Sequence, residues 1–346
     1  MTDPRELHEE AVTTLRRIAF LLERAQATPY RAEAFRRAAR TVEATDAAHV
    51  LELVGEDRLR ELPNVGDKTA GVVSAVVRGR EVAYLAELES RAADEEPWDP
   101  AALTLRRALR GDLHAHSEAS DGSTPIQEMV LAALELGHEY LTITDHSPRL
   151  TVANGLSAPR LRAQLSEVAA LNRAVAPFRV LTGIEVDILE DGALDQDPGL
   201  LAELDIVVAS VHSKLRMDRP AMTRRMLRAV GNPVVTVLGH CTGRRIIGSR
   251  PRPPSEFDPD AVFAACAENG VAVEINCRPD RLDPPHELLQ LAVEAGCLFS
   301  IDTDAHAPGQ LDWQRAGCER AVAHGITADR VINARPAGAV GRRGSA

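Results

Sequence analysis

Between residues 111 and 303, seven short apolar runs rich in β-branched side chains alternate with helical stretches, and each run leads into a histidine or a carboxylate. The runs cover residues 111–115, 140–144, 179–183, 205–210, 234–238, 271–275 and 298–303, with helices such as 125–137 and 159–175 between them. Strands that alternate with helices read as parallel crossover units. Seven of them predict an α/β domain closed as a β/α barrel, whose reactive side chains stand at the C-terminal ends of the strands.

The ionisable residues at those ends form a set. The first strand gives His114 and His116, with Asp121 in the loop beyond, and the second gives Asp145 and His146. The third gives Glu185, the fourth His212, the fifth His240, the sixth Glu274, and the seventh Asp304 and His306. Any one histidine alone reads as a satisfied core or surface residue. Six of the eleven histidines gathered just past apolar strands do not read that way, because all converge on one mouth. In His114/His116 and in Asp304/His306 the two members stand at i and i+2 near a strand end, so they point the same way and can chelate one ion. Imidazole with carboxylate suits Zn, Mn or Fe. The donors are too many for one tetrahedral ion, so more than one metal is expected.

The motifs "DLHAHS", "TDH", "GIE", "SVHS", "GH", "EIN" and "DAH" resemble the PHP (polymerase and histidinol phosphatase) domain over residues 111–335. The resemblance implies a distorted seven-stranded, TIM-like barrel with three divalent metal ions. It implies that His114, His116, Glu185 and Asp304 hold one metal, that Glu185 bridges to a second held by His212 and His240, and that Asp121, His146 and His306 hold a third. Glu185, Asp304 and His306 would be catalytic, through phosphoester hydrolysis by a hydroxide bridging the metals, with His306 as a candidate acid. Asp145 and Glu274 would orient ligands rather than bind metal. "GHCTGRRIIGSRP" and "EINCRPDRLD" resemble the polymerase-associated branch and bring Arg244, Arg245, Arg250, Arg278 and Arg281 near the mouth. Guanidinium forks bind phosphate oxygens in pairs, so Arg244, Arg281 and Lys214 are the expected substrate clamps; solubility is the alternative for each.

Residues 1–95 read as helices. Leu7, Ala11, Leu15, Ile18, Leu21 and Leu22, then Ala32, Phe35, Ala39 and Val42, recur at spacings of three and four. "LRELPNVGDKTAGVVSAVV", residues 59–77, sets a Pro-containing turn before an apolar helix, leaving backbone N–H groups free for a phosphate. It resembles a helix-hairpin-helix of the small N-terminal domain of family X DNA polymerases, with Asn64, Gly66 and Lys68 as DNA contacts. Asn64 stands where that family has glycine, and a left-handed turn suits asparagine too. Val72 replaces the family's lyase lysine, so no Schiff-base lyase is expected. The alternative is a bundle that only packs on its neighbour. Residues 96–110 are expected to be a linker and 336–346 a disordered tail. The short linker leaves no room for a polymerase palm.

Composition narrows the partners. A net charge of -11 argues against a large sequence-independent nucleic-acid footprint, so DNA binding would be local to the hairpin. The five cysteines form no CxxC pair and suit a reducing compartment as buried thiols. No apolar run of membrane-spanning length occurs, and the charged "MTDPRELHEE" lacks a signal-peptide core, so no membrane partner and a cytoplasmic location are expected. Oligomeric state is left open. The leading expectation is a metal-dependent phosphoesterase on DNA ends or backbone: a 3′–5′ exonuclease, 3′-phosphatase or abasic-site endonuclease without polymerase activity. The alternatives are a small-molecule phosphatase, for histidinol phosphate or a nucleotide bisphosphate, and a DNA-binding scaffold with a vestigial site.

Overall fold

The computed structural model describes residues 3–93, 97–248 and 251–341, and the chain divides into two compact units at Pro97/Trp98. The first unit is helical: α1 (Pro4–Arg24), α2 (Pro29–Ala44), α3 (Ala47–Gly55), α4 (Asp67–Val77) and α5 (Ala83–Ala93). Asp3 starts α1 by accepting from the Arg5 N–H at 3.0 Å. Ala11, Leu15, Ile18 and Leu22 are buried on the inner face of α1, and Ala32, Phe35, Ala39 and Val42 on that of α2. A bidentate pair ties these two helices beneath the surface, Arg36 Nε to Glu23 Oε1 at 2.9 Å and Nη2 to Oε2 at 2.8 Å.

The second unit is built on seven parallel strands in sequential order: β1 (Gly111–Ala115), β2 (Tyr140–Ile143), β3 (Arg179–Asp187), β4 (Ile206–Ser210), β5 (Val237–Leu238), β6 (Ala272–Asn276) and β7 (Phe299–Asp302). Around them run α6 (Pro100–Ala108), α7 (Ile126–Glu135), α8 (Ala158–Ala174), the one-turn α9 (Pro198–Leu201), α10 (Arg219–Val230), α11 (Pro259–Asn269), α12 (His286–Glu294) and α13 (Gln314–Ala323). On β3, β4 and β6 the apolar residues Ile184, Val186, Val207, Ala209, Val273 and Ile275 join the main core cluster. Alternation along a strand turns the residues between them, Glu185 and Glu274 among them, to the opposite face.

The barrel is nearly closed. β1 and β7 are bridged by the backbone at one point, where the His116 N–H donates to Ala305 O at 2.8 Å. Side chains lace the rest of this seam. Asp302 accepts from the Leu113 N–H at 2.8 Å, and Asp112 accepts from the Thr303 N–H at 3.1 Å. The Asn333 amide donates to Gly111 O at 3.0 Å and Ile301 O at 2.8 Å and accepts from the Ile301 N–H at 3.1 Å, so it pairs with both strands.

Four expectations need correction. The segment read as a linker contains α6, capped by Asp99, which buries Ala102 and Leu105 and packs on α13 within the barrel unit. The tail read as disordered has a 3-10 turn at Ala337–Ala339, and Val340 is buried with Leu113, Val208 and Ile332; residues 342–346 lie outside the described ones. β3 is longer than read, because it pairs with β2 through Thr182 and then with β4 from Gly183 onward, so Glu185 lies inside the strand. β5 is only two residues long: Pro233 and a turn from Val235 N–H to Asn232 O occupy the start of the segment read as strand, and Thr236 is the first residue to join the ladder, donating to Val207 O at 2.9 Å.

His138, before β2, is buried with Arg106 Nη2 3.0 Å and Gln314 Oε1 3.1 Å from its Nε2. Burial, then the Arg106 charge, push its pKa down to about 3. The folded state therefore binds fewer protons than the unfolded one. Its stability is complete above the unfolded value of about 6.5 and is lost as pH falls toward 3. Urea melts are expected to lose roughly 2 kcal/mol more between pH 7 and pH 5 for the native chain than for His138→Gln. Equal losses in the two proteins would refute this.

Candidate metal centre

β1 delivers His114 and His116 side by side, with ring centroids 5.2 Å apart. The chain then turns back so that Asp121 reaches the same space. Gly122 makes this turn possible, because a Cβ there would lie 2.7 Å from His116 O. The loop after β2 adds His146, β3 adds Glu185, the loops after β4 and β5 add His212 and His240, and the loop after β7 adds Asp304 and His306. Asp304 holds φ at +52°, a left-handed conformation that a non-glycine residue adopts at a cost. All nine residues marked by the sequence meet in one cluster.

Glu185 is its hub. Oε1 is 2.8 Å from His240 Nε2 and 3.1 Å from His212 Nε2, while Oε2 is 3.0 Å from His146 Nδ1, 3.3 Å from His114 Nε2 and 3.6 Å from His116 Nε2. Asp304 Oδ1 is 3.3 Å from His116 Nε2 and 3.9 Å from His114 Nε2. Asp121 Oδ1 is 3.4 Å from His306 Nε2, 3.5 Å from His146 Nε2 and 4.0 Å from His116 Nδ1. Three groups have donor atoms close enough to share an ion: His116, Asp121, His146 and His306; His114, His116 and Glu185; and His146, Glu185 and His212.

Both oxygens of Glu185, both ring nitrogens of His116, His212 and His240, Nε2 of His114 and Nδ1 of His146 are sealed from solvent without a hydrogen bond. So many orphaned polar atoms in one place would cost several kcal/mol in an apolar interior. Donors sharing an ion at about 2.1 Å stand roughly 3 Å apart, the spacing seen around Glu185. The residues fit divalent metal ions. Burial first, then neighbouring histidines, hold His116 down to about 3, so it stands neutral with a free lone pair. Burial opposes the charge of Glu185, but the surrounding histidines outweigh it and keep the carboxyl well below its ordinary range.

A ring of partners aims the donors. Glu274 Oε1 lies 2.5 Å from His114 Nδ1, which turns Nε2 toward Glu185, and Oε2 accepts from the His240 N–H at 2.6 Å. Asp145 accepts from the Ser117 N–H at 2.8 Å and the Ser117 hydroxyl at 2.6 Å. Asp187, which the sequence reading passed over, accepts from the His212 N–H at 3.0 Å and sits 3.5 Å from its Nδ1. Its position two residues after Glu185 was the available signal, since period two places both on one face.

The basic residues divide. Arg281 is buried, with Nε 3.3 Å from Asp304 Oδ2 and both Nε and Nη1 without a hydrogen bond. Arg278 Nη1 lies 3.2 Å from His306 Nδ1 and 3.6 Å from Asp304 Oδ1. Arg244 instead spends its guanidinium on the backbone, donating from Nε to Arg281 O at 2.9 Å and from Nη2 to Leu282 O. Lys214 is exposed, 3.9 Å from Glu190, and Arg250 lies outside the described residues. Asn64, Gly66 and Lys68 are exposed in the first unit, with Asn64 at φ +62° and Gly66 at the N-cap of α4.

Residues 112–278 match the PHP domain family, and residues 8–81 match a helix-hairpin-helix domain family. The chain carries a PHP domain behind a helix-hairpin-helix domain. A DNA polymerase/3'-5' exonuclease PolX of Bacillus subtilis (strain 168) is 42% identical over 227 residues, which cover 66% of this chain and 39% of the relative. The chain thus spans about two fifths of that relative's length. A probable phosphatase of Thermoanaerobacter sp. (strain X514) is 27% identical over 233 residues, 64% of this chain and 89% of the relative. A crystal structure of histidinol phosphate phosphatase from Lactococcus lactis subsp. lactis Il1403, complexed with Zn, L-histidinol and phosphate, aligns at a TM-score of 0.44 and 19% identity over 62% of this chain and 94% of that one. The PHP domain holds the whole of the β1–β6 part of the cluster; Asp304 and His306 follow it in the chain. All five cysteines are buried free thiols, and among the described residues no helix is long and apolar enough to cross a membrane.

Proposed function

We propose that this protein is a metal-dependent phosphoesterase that hydrolyses DNA at strand ends or in the backbone, as a 3′–5′ exonuclease, 3′-phosphatase or abasic-site endonuclease. One observation carries the reading: a cluster of nine histidine and carboxylate side chains, most of them buried and most open to solvent at Asp121 and His306, occurs in the same chain as a helix-hairpin-helix whose turn is exposed. Residues 94–99 alone lie between α5 and α6, which leaves no segment for a nucleotide-transfer domain.

In this reading His114, His116, Glu185 and Asp304 hold one ion, Glu185 with His212 and His240 a second, and Asp121, His146 and His306 a third. Such ions, when bound, lower the pKa of water and draw charge off the phosphoryl oxygens. The chain supplies the rest. Glu185 fixes the spacing of its five histidine partners, and Arg281, buried with Nε against Asp304 and Nη1 lacking a hydrogen bond, places a positive charge for a phosphate oxygen. Arg278 assists it, and a water at the open edge beside His306, the most exposed of the clustered histidines, would give a proton to the departing alkoxide. Arg244 serves by holding the Arg281 backbone in place. Lys214, at the rim, meets the substrate farther out.

The test is hydrolysis of a 5′-labelled single-stranded oligonucleotide beside histidinol phosphate, with Mn or Zn added and the His114→Ala/His116→Ala protein as control. A ladder of shortened DNA that the double variant cannot make supports the proposal. Phosphate released from histidinol phosphate alone would replace it with the small-molecule reading. The hairpin adds a second expectation. Lys68→Glu is expected to raise the KM for DNA about fivefold and to lower the salt slope of binding by about one, with histidinol phosphate hydrolysis unaffected. An unchanged slope would remove Lys68 from the interface.

A further inference from the structure

Most large apolar side chains of the barrel unit are buried, but Ile246 and Ile247 are 44% and 56% exposed and stand next to each other. The loop that carries them is fixed on both sides. Arg245 and Arg252 exchange backbone hydrogen bonds at 2.9 Å in each direction, and Arg252 Nε donates to Gly243 O at 2.6 Å. The Ile246 N–H donates to Asp280 O at 2.8 Å, and Arg245 Nε lies 3.3 Å from Asp280 Oδ2. Asp280 in turn accepts from Arg278 Nε at 3.1 Å, and Arg278 reaches His306. Two hydrogen-bonded residues therefore separate the isoleucine pair from the metal cluster.

Exposed cationic side chains surround the pair, Arg245 beside Asp280 and Lys214 beside Glu190. The β4-exit loop packs against this one, since a Cβ on Gly243 would lie 2.8 Å from Leu215 Cδ2, and Lys214 and Arg216 on that loop are exposed. Arg245 is half-exposed beside the isoleucines. An apolar tip flanked by arginine and lysine suits a chain that alternates charged phosphates with flat apolar bases. A free phosphomonoester of a small polar alcohol offers nothing to the apolar part.

We propose that Ile246 and Ile247 form a wedge that packs against the nucleobase next to the scissile phosphate, so that the site selects nucleotide chains over base-free phosphoesters. Apolar wedges of this kind contact or part base steps in nucleic-acid complexes. The inference rests on the DNA reading above and assigns the base contact within it. Neither residue carries a polar atom that could take part in hydrolysis.

The experiment compares the full chain with Ile246→Ala/Ile247→Ala, Mn added, on three substrates: a single-stranded oligonucleotide with a normal 3′-terminal nucleotide, the same oligonucleotide with an abasic terminal residue, and bis(glyceryl) phosphate, a diester without an aromatic ring. The expected result is a loss of about tenfold in kcat/KM on the normal end, the size of one base contact. The native chain should disfavour the abasic end by a similar factor, and the variant should lose that preference. Turnover of the base-free diester by the same preparations reports whether the metal site is intact. Equal losses on all three substrates, or none, overturn the wedge while leaving the DNA reading in place. A native chain that cleaves the diester but neither oligonucleotide overturns both. Light scattering closes the remaining route: a native dimer that the variant dissociates would assign the pair to self-association and overturn the wedge.

Discussion

Glu185→Gln is expected to reduce phosphoester hydrolysis by about 1000-fold, the range seen when a central electrostatic group leaves an active site. The substitution keeps the shape and removes the charge. Both oxygens of Glu185 face histidine nitrogens within 3.6 Å, so a neutral amide would present an N–H to a lone pair and shed the anion that balances the ions. Metal content measured by plasma emission after gel filtration should fall with activity, while the thermal midpoint of the metal-stripped proteins should match to within a few degrees. Full activity in the variant would show that the hub is not where the chemistry depends on charge.

The second large effect concerns stability. Arg225 on α10 is 1% exposed, and its guanidinium pins two loops. Nε donates to Ile188 O at 2.9 Å and Nη2 donates to the same oxygen, while Nη1 donates to Ser213 O at 2.9 Å. Ile188 follows Asp187, and Ser213 follows His212, so both carbonyls belong to segments that place metal ligands. Arg225→Met should leave the buried Ile188 carbonyl without its donors, at about 1–3 kcal/mol, and release the more open Ser213 carbonyl at a smaller cost. A total near 3 kcal/mol corresponds to a midpoint lowered by roughly 6–12 °C for a domain of this size. Arg228 on the same helix provides the control. It pairs with Asp191 in the open, and Arg228→Met should cost under about 1 kcal/mol. Similar shifts for the two would contradict the assignment.

The barrel was legible because two signals agree: short β-branched runs mark strands, and the chemistry gathers at their C-terminal ends or just beyond them. His114, His116, His146, His212 and His240 could be placed that way without seeing a single contact. The misses have a common cause, which is that tertiary partners decide them. α6 lies in an acidic, proline-flanked stretch and becomes ordered because Ala102 and Leu105 find α13. Val340 sits in a glycine-rich tail, and only the space beside Ile332 makes it core. Arg244 looked like a clamp because nothing local shows that its donors meet the carbonyls of residues 281 and 282. The reach of β3 was hidden for the same reason, since a strand that changes partners midway has no signature in its own residues.

The seam between β1 and β7 bears on more than closure. His114 and His116 leave one side of it and Asp304 and His306 the other, while the backbone itself joins the two strands at a single bridge. Any ion shared by these donors is a clasp across the one edge that the peptide ladder leaves open. Metal uptake would then be linked to tightening of that seam, and chelation should quicken amide exchange first along β1 and β7 and leave β3 and β4 as slow as before. An ion held there would serve as a rivet of the scaffold, tying the last step of assembly to readiness for chemistry.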